Sequence, residues 1–205
     1  MMPMRRKLYT AVFIALIPAI GLTEDYSDPT WPCVQRKVEN LSLGIMWPHL
    51  VPETPEPATL SASAQRFADT VVLRRVSLDQ VDEITATFAQ EEPDLTTDEY
   101  TLIFQEIFEN INRDRQRLIA GIGRYSLSQI DLAARIDAAR VEMDSEMAKD
   151  DPDFDRVDQL EEQLDWDQRI YRDRAQSLLY VCETPVILEK RVYAIAQTLA
   201  QHVPD

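Results

Sequence analysis

Glycine sets the tightest limit on what this chain can become. Only 4 of its 205 residues are glycine, and two of them, Gly121 and Gly123, stand together in "AGIGRYS". Tight hairpin turns and bulges draw on residues that accept a positive φ at little cost. A chain this poor in glycine can make few of them, and it lacks the glycine-rich loops that cradle phosphate. Long helices with few connections are expected.

Hydrophobic spacing agrees. Leu60, Ala64, Phe67 and Val71 recur at the 3–4 residue interval of one helix face. Ser77 and Gln80 form a capping-box pattern ahead of Val81, Ile84 and Phe88. Thr96 and Glu99 repeat it ahead of Tyr100, Phe104, Ile107, Ile111, Leu118 and Ile122, and the Gly121/Gly123 pair is expected to end that helix. Ser126 or Ser128 is expected to start the next, with Leu127, Ile130, Ala134, Val141 and Met143 facing inward. In "KDDPDFD", Asp151 as N-cap and Pro152 at the first helical position announce another helix. That helix carries Phe154, Val157, Leu160, Leu164, Tyr171, Ala175, Leu178 and Cys182 on one face. Thr184 and Pro185 repeat the start signal for a last helix burying Leu188, Val192, Ile195 and Leu199. The pattern predicts an all-α fold. It is a helical bundle with a long antiparallel helical hairpin, narrow-striped like a two-stranded coiled coil, whose tip near Asp150 projects.

The N-terminal quarter is of a different kind. Arg5, Arg6 and Lys7 precede an uncharged apolar run from Leu8 to Leu22, with Pro18, Ala19 and Gly21 near its end. This is the layout of a secretory signal peptide, and residues 1–21 are assigned to it. The run falls short of the roughly 20 residues a membrane span needs, so no span is expected in the mature chain. Residues 22–58 form an extended, proline-rich arm containing Pro29, Pro32, Pro48, Pro52, Pro55 and Pro57, with at most a helical turn around Val38 to Leu43. Residues 59–205 form the helical domain.

Export gives the two cysteines a purpose. In an oxidising compartment a lone pair of thiols joins, and Cys33 with Cys182 is expected to pin the arm to the helical body. Closing so long a loop is worth roughly 4–5 kcal/mol in the chain-entropy model. There is no C-x-x-C, so a thioredoxin-like role has no motif behind it.

Charge narrows the partners. The chain carries −15, and removing residues 1–21 takes away three cations and no acids, leaving −18. A surface of that sign repels nucleic acid and anionic lipid and suits basic partners or cations. Asp151, Asp153, Asp155 and Glu162 stand at calcium-loop spacing, but Arg156 occupies the position where such a loop needs glycine. Met46 and His49 in "IMWPHL" are one weak pair of soft-metal ligands. His49 and His202 are the two histidines, and no histidine or serine motif of a hydrolase or di-iron bundle is present. The clusters Arg113, Arg115, Arg117 and Arg169, Arg172, Arg174 are interleaved with acids, as ordinary helix surfaces are. No catalytic residue, cofactor or metal site is assigned.

The resulting expectation is an exported, non-enzymatic accessory protein of a bacterial periplasm or envelope. It would bind another envelope protein, one that could be basic, using Trp31, Trp47, Met46 and His49 of the arm together with the hairpin. The alternative is a periplasmic small-ligand or calcium-binding protein.

Overall fold

The computed structural model describes residues 28–49 and 59–204. The signal-like segment 1–21 and parts of the arm, including 50–58, lie outside the described residues. Five helices follow in order, α1 (Leu43–Met46), α2 (Ala62–Val71), α3 (Leu78–Glu91), α4 (Thr97–Met147) and α5 (Phe154–Ala200). No strand occurs among the described residues. The fold is an all-α bundle dominated by an antiparallel α4–α5 hairpin, and α2 and α3 pack against its base. At 1.5 Å per residue, α4 alone runs about 77 Å.

The helix starts are held by side chains. Ser61 Oγ accepts from Ala64 N at 3.1 Å. Ser77 with Gln80 and Thr96 with Glu99 form complete capping boxes. The α5 cap is Asp153, whose carboxylate accepts from Arg156 N at 3.1 Å. Asp151 and Pro152 therefore lie outside the helix, which starts two residues later than expected.

Two expected breaks are absent. Helix α4 runs unbroken through Gly121 and Gly123, and α5 runs unbroken through Pro185. The proline forfeits the bond its N–H would have donated to Val181, a change that costs about 3 kcal/mol in an isolated helix. Packing offsets that cost, because Pro185 is itself buried and its carbonyl accepts from Arg115 Nε at 3.2 Å. The short turn is α1 at 43–46, and residues 38–42, expected to carry it, form no helix.

The base holds the main core. Phe104, Ile103, Ile107, Val192, Ile195 and Leu199 are fully enclosed by residues of α2 and α3, and Phe67 stacks on Phe88 at 4.3 Å between ring centres. A second, smaller core of Leu132, Ile136, Ala139, Leu160 and Leu164 zips the distal hairpin. Here the expected inward face is wrong. Leu127, Ile130, Ala134 and Val141 point to solvent, and of the predicted set Met143 alone is partly buried. The buried row instead contains Ser126, whose Oγ donates to Pro29 O, and Gln129, whose Nε2 donates to Tyr171 O while its buried Oε1 has no partner. On α5, Phe154 and Tyr171 are likewise exposed, while Leu160, Leu164 and Cys182 are buried as expected.

Candidate partner-binding surfaces

The arm is laid along α4 and tied to the two long helices along its length. Cys33 and Cys182 are disulfide-bonded, with Cα atoms 5.5 Å apart across 149 residues of sequence. The bond sits in a small buried cluster with Ile122, flanked by Trp31 and Leu178. Just ahead of it, Asp28 accepts from Thr30 N at 2.8 Å, from Thr30 Oγ1 at 2.6 Å and from Lys37 Nζ at 3.1 Å. Those hydrogen bonds from Thr30, with the Lys37 ammonium behind them, hold the Asp28 carboxyl down at about 2. Lys37 is held up in turn by Asp28.

Gly123 allows the closest approach. A Cβ there would meet Thr30 O at 3.3 Å and Thr30 Cβ at 3.4 Å. The glycine serves contact with the arm rather than a helix end. Further along, Gln116 Nε2 donates to Asn40 Oδ1 at 2.8 Å, and Arg115 Nη1 donates to Glu39 O at 3.3 Å. Arg115 is 2 % exposed and also lies 3.6 Å from Glu189. Burial pulls its guanidinium pKa down and Glu189 opposes that pull. A second buried arginine, Arg191, donates to the carbonyls of Val71 and Val76 and fastens the α2–α3 connection to α5.

The four arm residues expected to meet a partner do not form one exposed patch. Met46 and Trp47 are buried in the main core. Trp47 stacks on Phe104 at 4.7 Å and donates from Nε1 to Thr101 Oγ1 at 3.0 Å. Trp31 is partly buried and donates to Gln35 O at 2.6 Å. His49 is half-exposed, its ring 5.2 Å from that of Trp47. These anchors hold the arm to its own body.

The acidic stretch takes helical rather than calcium-loop form. Asp153 caps α5, and Asp155 and Glu162 stand two turns apart along it, separated by about 10 Å of helix axis and so too far apart to share one ion. Among the described residues, no three His, Cys, Asp or Glu side chains gather as a metal site needs. Of the arginine clusters, Arg117 pairs locally with Asp114 at 3.2 Å as expected, whereas Arg115 is a buried long-range clamp.

Exposed apolar side chains lie on the arm at Val34 and Ile45 and, in greater number, on the outer sides of the two long helices. Trp166, Tyr180 and Ile187 are exposed on α5, with Tyr180 at 71 %. They fall at multiples of seven residues, two helical turns each, and so share one side with a drift of about 20° per step. That spacing is visible in the sequence, on the side of the helix opposite the row expected to be buried. No family model, curated protein or solved structure matches the chain.

Proposed function

We propose that this is an exported accessory protein of a bacterial envelope that works by binding another protein, without chemistry of its own. The observation that carries the reading is the exposed Trp166–Tyr180–Ile187 stripe on α5. Aromatic side chains left in water on a rigid helix are what protein interfaces are built around. The disulfide supports an oxidising compartment, and the signal-like N-terminus supports the route to it. The surplus of acids, −15 over the chain, favours a basic partner surface by speeding encounter.

The test is affinity purification from gently cross-linked envelope extract at native expression level, with the chain and with Trp166→Ala/Tyr180→Ala in parallel. One stoichiometric protein, lost in the double variant while the melting temperature holds, is the expected result. Absence of any stoichiometric protein, or a partner indifferent to both substitutions, overturns the reading. No helix among the described residues is long and apolar enough to cross a membrane.

A further inference from the structure

We infer that α4 pairs with α4 of a second copy of this chain, antiparallel, along the stripe Leu127, Ile130, Ala134 and Val141. The four residues follow 3–4 spacing and lie opposite the row that faces α5. Leu127, Ile130 and Val141 are 43 %, 49 % and 69 % exposed, and Ala134 is exposed between them. The stripe spans about 21 Å of helix.

This side of α4 is already an interface where it nears the base. A groove of about 440 Å³ there is floored by Ile119, Ala120, Gly123 and Leu127 and walled by the arm at Thr30, Lys37 and Asn40. Leu127 lines its end, and the apolar surface continues past it with nothing in the described chain covering it.

Charge selects the occupant and its direction. Along the stripe, Arg124, Arg135 and Arg140 outnumber Asp131 and Asp137. From Glu142 to Asp165, eleven carboxylates meet two cations, Lys149 and Arg156. A uniformly basic partner would meet like charge at the arginines, and a parallel second copy would stack two acidic tips. Like charges so placed oppose association. An antiparallel copy seats the start of each acidic stretch beside Arg124 of the other, bringing Glu142, which also pairs with Arg156 of its own chain, toward Arg124 twice by symmetry. A two-fold at Ala134 sets Leu127 against Val141 and one small side chain against its equivalent, as an isologous contact requires. This surface is separate from the α5 stripe, so it does not depend on the partner reading above.

The experiment is sedimentation velocity on the protein as the cell makes it, from micromolar to submillimolar, at low and high salt. A concentration-dependent dimer is expected, weakened by salt as ion pairing is screened. Ile130→Glu with Val141→Glu should raise the dissociation constant at least tenfold, about 1.4 kcal/mol, with an unchanged melting temperature since both sites are exposed. Ala134→Cys should cross-link two copies on oxidation, and Asp150→Cys at the tip should not. A monomer at every concentration overturns the proposal, as does a dimer indifferent to the glutamates or cross-linked tip to tip. An Ile130→Cys thiol that is shielded from reagent even at the lowest concentration also overturns it, because a segment of the same chain would then be the cover.

Discussion

Arg115 Nε donates to the carbonyl of Pro185 at 3.2 Å, joining the middle of one long helix to the proline inside the other. The same guanidinium reaches Glu39 O on the arm and lies beside Glu189. One buried cation thus holds three segments that are far apart in sequence. Replacing it with methionine keeps volume but removes the donor to the buried Pro185 carbonyl, to the part-buried Glu39 carbonyl and to Glu189. Unsatisfied groups of this kind cost about 1–3 kcal/mol each. We expect Arg115→Met to lose about 2–4 kcal/mol in denaturant titration, with amide exchange rising first around Pro185 and in the arm. Unchanged exchange in the arm would refute the clamp.

The disulfide is the second fastening. Cys33→Ser with Cys182→Ser is expected to remove about 2–4 kcal/mol of stability, the typical range for a disulfide and somewhat below the chain-entropy figure for so long a loop. At about 2–4 °C per kcal/mol for a chain of this size, the melting temperature should fall by about 4–16 °C. Helix content by circular dichroism should persist, because the main core at the base does not include the cysteines.

The paired glycines separate helix propensity from contact. A Cβ on Gly121 meets nothing closer than the end of Arg124 at 3.9 Å. Gly121→Ala should therefore stabilise by about 0.5–1 kcal/mol, the intrinsic gain of alanine in a helix. Gly123→Ala has the same intrinsic gain but presses on Thr30 backbone, so it should stabilise less, and Gly123→Leu should destabilise and loosen the arm. Equal gains at both sites would show that the arm does not need the close approach.

Trp47 and Tyr180 test which aromatics are structural. Trp47 is buried on Phe104, and Trp47→Ala should cost about 3–5 kcal/mol. Tyr180 is largely in water, and Tyr180→Ala should change stability by no more than about 0.5 kcal/mol. Thermal denaturation of the two variants side by side makes the comparison.

Acid should release the start of the arm. The folded pKa of Asp28 lies at about 2, below its ordinary value of 3.8. A carboxyl depressed in this way stabilises the fold above its unfolded pKa. That contribution fades as pH falls from about 4 through 2 and is gone below both values. The group is exposed, so the effect is local. The Thr30 amide, which donates to Asp28, should lose its exchange protection over that window in NMR, and Asp28→Asn should show no such step.

Local chemistry made much of the fold legible. The capping pairs Ser77/Gln80 and Thr96/Glu99 close as their spacing implies, and the apolar rows of α2, α3 and the base of α4 are buried as read. Each depends on residues within one or two turns, so short-range sequence determines it. The cysteine pairing was legible for another reason, since two thiols in one exported chain have a single intramolecular choice.

Contacts between distant segments decided the rest. Gly123 and Pro185 carry helix-ending signals, yet both sit inside helices because Thr30 needs the space of one and Arg115 and the core support the other. Ser126 and Gln129 displaced Leu127 and Ile130 from the interior because carbonyls of Pro29 and Tyr171 were placed to receive them. Hydrophobicity along a sequence ranks side chains by their cost in water. It cannot register a polar partner that only the folded chain brings within reach, and that is why the sequence determined the helices while the tertiary structure decided where they stop and which side they bury.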